Sequence, residues 1–308
     1  MTPSRMTLKQ ALDLANPRSW VAAVYPALLG IAYCLAAGDV VPVWLAAVLV
    51  LAVIAMQSAV NTLNDYYDFV KGTDSLSDHV EVRDATLLYG GFPPRQAWWL
   101  GLGFLGIAAV LAIPVYLYGG IAPLVIGCIG AVVVWSYSGG MLPVSYLPIG
   151  EAVSGIVMGG LIPMGVVAAI RGTYDGWVFV TALPLIIGIG LIMMTNNTCD
   201  IEKDRLARRR TLPVLMGRRE ARGLYRLLTG AWLVTMAFLA LSCYGLWGLI
   251  VPFVALLIGV KAYGHMVTTK LTPPGRVGNM KAVVMANILG NGIYLLAWFL
   301  KAGGVTFG

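Results

Sequence analysis

Runs of about twenty apolar residues recur along this chain, and a run of that length is what an α-helix needs to cross a bilayer. A window of about 19 residues marks nine of them, at roughly 19–37, 43–66, 95–117, 121–138, 149–171, 177–200, 224–243, 246–265 and 280–301. Composition agrees: 59% of the 308 residues are hydrophobic and 11% are charged, where a soluble domain carries about 25% charged residues. The expected fold class is all-α, a polytopic membrane protein of about nine transmembrane helices forming a single domain over 1–308. Thirty-seven glycines suit that class, because small residues let membrane helices approach closely. The first apolar run is too long for a typical cleaved signal peptide and lacks a clear cleavage site. It reads as the first span, preceded by a short interfacial helix.

Positive charge orients the bundle. The N-terminus and the loops after spans two, six and eight carry 18 of the 21 Lys and Arg residues, nine of them in 201–226. That bias puts the N-terminus in the cytoplasm and the C-terminus outside, in a cytoplasmic (inner or plasma) membrane. The net charge of +7 is concentrated at that inner surface. It is no nucleic-acid signal, and it suits anionic lipid headgroups or an anionic substrate. The four cysteines form no CxxC pair, and His79 and His265 stand alone, so neither a disulfide framework nor a histidine metal site is expected.

Two polar, acidic segments interrupt the apolar pattern, Asn61 to Asp74 and Asn196 to Asp204, and each closes a span at the cytoplasmic side. They lie four spans apart, which suggests two similar four-helix halves plus a ninth helix. At 100° per residue, Asn61, Asn64, Asp65 and Asp68 fall within about 100° of one another, as do Asn196, Asn197, Asp200 and Asp204. Each segment thus presents oxygen ligands in one direction. Carboxylates this close to a membrane need a compensating partner, and Mg²⁺ commonly takes one or two carboxylates plus substrate phosphates. Two facing clusters with divalent cations between them imply a diphosphate. A cation transporter is the rival from another class. It requires polar residues continuing across the membrane, whereas only Gln57, Ser58 and Thr195 lie beyond the clusters.

The string Asn64-Asp65-Tyr66-Tyr67-Asp68, with Gly72 and Asp74, resembles the first aspartate-rich motif of the UbiA superfamily of intramembrane aromatic prenyltransferases, and Asp200 and Asp204 resemble the second. Further likeness runs through Tyr137-Ser138-Gly139-Gly140, Pro143, Tyr146, Gly150 and Glu151, and through Arg210-Thr211-Leu212-Pro213-Val214. These segments are similar to the branch of 1,4-dihydroxy-2-naphthoate polyprenyltransferases (MenA type) of menaquinone synthesis. Two positions depart from that branch. Cys199 stands where an Arg usually precedes the first Asp, and Arg208-Arg209 stands in place of Gly-Lys. Another cation must then meet the diphosphate, and Arg205, Arg208, Arg209 and Arg210 are the candidates.

The resemblance implies Mg²⁺-dependent transfer of a polyprenyl group from its diphosphate to an aromatic acceptor. Asn64, Asp68, Asp200 and Asp204 would hold Mg²⁺, with Asp65 as a further ligand or supporting acid. Lys71 and the arginines would face the leaving diphosphate. Tyr66, Tyr67, Tyr137 and Tyr146 offer ring faces to an allylic cation; packing or an interfacial belt is the plainer role for each. Met193 and Met194 are candidates for the tail groove or for core. Glu151 would orient the acceptor or act as a base. The 69–94 loop, with Asp74, Asp78, Glu81 and Asp84, is expected to cap the site. The same chemistry on 4-hydroxybenzoate, homogentisate or a glycerol-phosphate lipid, and a silent isoprenoid-binding protein, remain alternatives.

Overall fold

The computed structural model describes residues 5–72 and 86–305. Asp74, Asp78, Glu81 and Asp84 of the expected cap lie outside the described residues. The described chain is helical throughout its apolar runs, because a backbone in hydrocarbon must satisfy its own N–H and C=O groups. The helix carrying the first motif is Val43–Val70, entered from Pro42, whose extended backbone starts the helix sharply. Pro94–Gly119 and Ile121–Ser138 follow, joined at Gly120 in a positive-φ turn. The helix carrying the second motif is Leu183–Cys199, followed by the short helix Ile201–Leu206. Arg218–Tyr244, Ile250–Thr268 and the last helix, Arg276–Ala302, complete the bundle.

Six helical stretches among the described residues are long and apolar enough to cross a membrane. A seventh arises if the bent pair Leu8–Ser19 and Val21–Ala36, which meet at 54°, forms one span. This differs from the nine expected spans for local reasons. Pro184 at the start of Leu183–Cys199 detaches it from Trp177–Thr181 and leaves it at 17 residues. The seventh and eighth expected spans run together as one stretch, Arg218–Thr268, turned only by the 3-10 segment Gly245–Leu249.

Two features seat the second motif. Gly150–Arg171 is one helical stretch whose middle, Gly155–Leu161, is wound as a π-helix, a form frequent at functional sites. A Cβ built on Gly159 would lie 2.6 Å from the Ile186 Cα, so only glycine lets these two backbones touch. On its other side, the second-motif helix meets a buried polar ladder. Trp232 Nε1 donates to Asn291 Oδ1 (3.0 Å), Asn291 Nδ2 to Asn287 Oδ1 (2.9 Å), and Asn287 Nδ2 to the Gly188 carbonyl (3.0 Å). The largest core cluster, including Trp232, Tyr225, Met194 and Tyr294, surrounds that ladder. The polar residues that a transport path would have used are tied locally. Gln57 donates to Ser19 and Asn61, Ser58 to the Ile54 carbonyl, and Thr195 to the Leu191 carbonyl.

Candidate active site

Both motifs open on one cavity of about 840 Å³. Asn61, Asn64, Asp65 and Asp68 line it from the first helix, and Asn196, Asn197 and Asp200 from the second. Away from this polar end the wall is apolar, with Leu49, Val53, Met56, Ala108, Ala112 and Met193 among its residues. Leu49 and Asp68 are nineteen positions apart on one helix, so the wall reaches about 28 Å from the carboxylate. Met194, by contrast, is core, with 1% of its surface exposed.

The helical spacing delivers the first stripe as expected. Asn64 Nδ2 donates to Asp68 Oδ2 at 3.3 Å, and Ser138 Oγ donates to Asn64 Oδ1 at 2.6 Å. Asn61 turns to the N-terminal segment, donating to the Ala15 carbonyl (2.9 Å) and Ser19 Oγ (2.7 Å). Lys71 is not on the cavity wall. Its Nζ donates to the Ser138 carbonyl at 2.8 Å and lies 5.3 Å from the Tyr67 ring centroid and 5.0 Å from that of Tyr146.

Two guanidinium groups on the cavity wall meet the motif carboxylates, and Arg218 pairs with Glu202 of the second motif off that wall. Arg209 pairs with Asp68, has Nη1 3.7 Å from Asp204, and lies over the Tyr146 ring with Cζ 4.9 Å from its centroid. Arg276 pairs with Asp200, with Nε 3.0 Å from the carboxylate, and its Nη2 donates to Asn196 Oδ1. Of the four arginines named as candidates, Arg209 alone lines the cavity; Arg205, Arg208 and Arg210 are exposed and off its wall. Arg208 takes φ 57°, a left-handed conformation that turns the chain so that Arg209 N bonds the Asp204 carbonyl at 2.8 Å. Cys199 is fully buried and faces Asn279, whose Nδ2 is 3.4 Å from its Sγ, so it presents nothing to the cavity.

Asp204 is 2% exposed, accepts a hydrogen bond from Thr211 Oγ1 at 3.3 Å, and stands behind the cavity wall. Burial pushes its carboxyl up to about 7 against the opposing charge of Arg209. Glu151 is also buried and accepts from Asn197 Nδ2 at 2.8 Å; Tyr137 lines the cavity and accepts from Ser154 Oγ at 3.1 Å. Sequence reading offered no role for Ser138, Ser154, Thr211 or Arg276. Arg276 carried only a topological signal, as one of three basic residues in the 266–281 loop.

No three His, Cys, Asp or Glu side chains among the described residues cluster closely enough to hold a metal by themselves. The facing amide and carboxylate oxygens nevertheless fit Mg²⁺, which keeps waters and takes substrate phosphates alongside one or two carboxylates.

The chain belongs to the UbiA prenyltransferase family, whose sequence profile matches residues 23–274, and it is an enzyme of the prenyltransferase class. It is 30% identical over 220 residues to the 1,4-dihydroxy-2-naphthoate octaprenyltransferase of Bacillus subtilis (strain 168), covering 71% of this chain and 70% of that protein. It is 29% identical over 233 residues to the human UbiA prenyltransferase domain-containing protein 1, covering 74% and 67%. The fold matches a UbiA homolog from Archaeoglobus fulgidus, solved bound to DMAPP and Mg²⁺, with a TM-score of 0.60 and 16% identity over 96% of this chain and 100% of that one.

Proposed function

We propose that this prenyltransferase moves a polyprenyl group from its diphosphate to 1,4-dihydroxy-2-naphthoate, with Mg²⁺, at the cytoplasmic face of the membrane. One observation carries the reading: two oxygen-rich helix ends converge on the polar end of a single cavity whose remaining wall is apolar. The naphthoate acceptor is supported by the Bacillus relative and by the Tyr137–Glu151 segment. Nine crossings, with the N-terminus inside and the C-terminus outside, follow if the bent first pair, Trp177–Cys199 and each half of Arg218–Thr268 all count as spans.

Asn64 and Asp68 on one side and Asp200 on the other would hold Mg²⁺, with Asp65 as a further acid and Asp204, behind the wall, placing Arg209. The metal supplies Lewis-acid neutralisation of the leaving diphosphate. Arg209 adds fixed positive charge where negative charge develops, an interaction worth most in a site that excludes water. The allylic C–O bond breaks with its electron pair going to diphosphate. An acceptor ring carbon then forms the new C–C bond, and the ring regains aromaticity by releasing what that carbon carried, a proton or, at the carboxylated carbon, CO₂. Lys71 fixes the end of the first-motif helix through Ser138. Glu151 holds Asn197, and Tyr137 offers its ring to the cation or the acceptor.

The test is incubation of purified protein in nanodiscs with Mg²⁺, labelled polyprenyl diphosphate and the naphthoate, beside Asp68→Ala and Asp200→Ala. Magnesium-dependent prenylated product, lost in both variants, is expected. Diphosphate release without product would overturn the acceptor while sparing the donor chemistry.

A further inference from the structure

Arg276 reaches the second motif from far along the chain. It is the first residue of the last helix, and its guanidinium holds both Asp200 and Asn196. Arg276, Met280 and Val284 share one face of that helix and line the cavity. Lys281 of the same helix also lines the cavity, beside Met280. The position of the helix is fixed by packing. Asn279 reaches Cys199 and accepts from Thr269 Oγ1 at 2.6 Å, and two turns further on Asn287 is bonded to the Gly188 carbonyl. The helix is therefore tied to the second-motif helix at both levels, and Arg276 is held where that motif meets the cavity.

A guanidinium on Asp200 competes with any divalent cation for the same oxygens. Its planar fork matches phosphate at least as well as carboxylate. A metal-bound diphosphate arriving at this end of the cavity brings the anion that the guanidinium needs once a cation claims the carboxylate. We propose that Arg276 is a diphosphate-binding residue that exchanges partners: it neutralises Asp200 and hydrogen-bonds Asn196 before loading, and moves onto the diphosphate as Mg²⁺ takes their oxygens. This rests on the reading of the cavity as a prenyl diphosphate site, and it is independent of the acceptor.

Calorimetric titration of the purified full-length protein separates the two roles. Wild type, Arg276→Gln and Arg276→Lys are titrated with Mg²⁺ alone and with inorganic pyrophosphate in saturating Mg²⁺, and melting temperatures are recorded. Arg276→Gln is expected to weaken pyrophosphate by about tenfold, the value of one charged hydrogen-bonding group. Affinity for Mg²⁺ alone should hold or rise, since a competitor is gone, and Arg276→Lys should keep part of the pyrophosphate affinity. Unchanged pyrophosphate binding in Arg276→Gln overturns the proposal. So does equal weakening of Mg²⁺ and pyrophosphate with a lowered melting temperature, which marks a purely structural residue. If wild type itself binds no pyrophosphate with Mg²⁺, the diphosphate reading falls and this proposal with it. A failure confined to the naphthoate assay leaves both standing.

Discussion

Asp204 and Arg208 show how far single residues can be read from their type. Asp204 is legible as a member of an acidic motif. Its burial behind Thr211 and Arg209 is not, since that depends on a turn seven residues long closing over it. With its carboxyl raised to about 7 by burial, and with Arg209 opposing and Asp200 reinforcing the shift, the folded protein binds a proton that an unfolded Asp, with a pKa of about 3.9, has released. Stability from this group is therefore complete below about pH 4 and is lost as pH rises through 7. Metal-free protein should melt at a higher temperature at pH 5 than at pH 8, and Asp204→Asn should flatten that difference; an unchanged slope in the variant would assign it elsewhere. Arg208 takes a φ of 57°, the conformation glycine adopts freely. Arg208→Gly should raise stability by ~1 kcal/mol, read by thermal unfolding, with Arg209 still in place.

At the scale of elements, the apolar runs specify helices but not how closely they pass. The π-wound stretch Gly155–Leu161 leaves no mark in the sequence beyond its glycines, and those are plentiful elsewhere in the chain. Only the contact with Ile186 distinguishes Gly159 from Gly223, which has open space around it in the Arg218–Tyr244 helix. Gly159→Val should destabilise by ~2 kcal/mol or more through overpacking. Gly223→Ala should stabilise by about 0.5–1 kcal/mol through helix propensity. Similar losses at both positions, measured by thermal unfolding in the same detergent, would remove the backbone contact as the explanation. The expected helix count also shifted at this scale. Proline and glycine at the ends of runs mark where a helix starts, yet they do not say whether the chain bends, breaks or continues there.

Across the whole molecule, the two faces carry different devices. One end holds the polar part of the cavity and the motif carboxylates. The opposite end is closed by Arg171, whose Nε meets Asp39 at 2.7 Å and Nη1 meets Asp175 at 2.6 Å, while Tyr33 donates to Asp175 at 2.9 Å. That cluster joins the connection before the first-motif helix to the one before the second, so it braces both from the far side. Cysteines introduced at Tyr174 and Arg205, both exposed, should be labelled by a membrane-impermeant thiol reagent from outside and from the cytoplasm respectively. Labelling of both from one side would overturn the orientation proposed from charge bias.

The sequence by itself determined the solvent this chain folds in, the helical character of its runs, and the two stripes of Asn and Asp side chains. All three depend on composition and on a 3.6-residue period, which are local. Tertiary structure alone decided which cationic side chains meet those stripes. Arg209 is drawn in by a left-handed turn while its neighbours point to solvent. Arg276 arrives 76 positions after Asp200, on a helix aligned by an asparagine ladder. No local rule carries that information, because the pairing of distant residues is set by how helices pack.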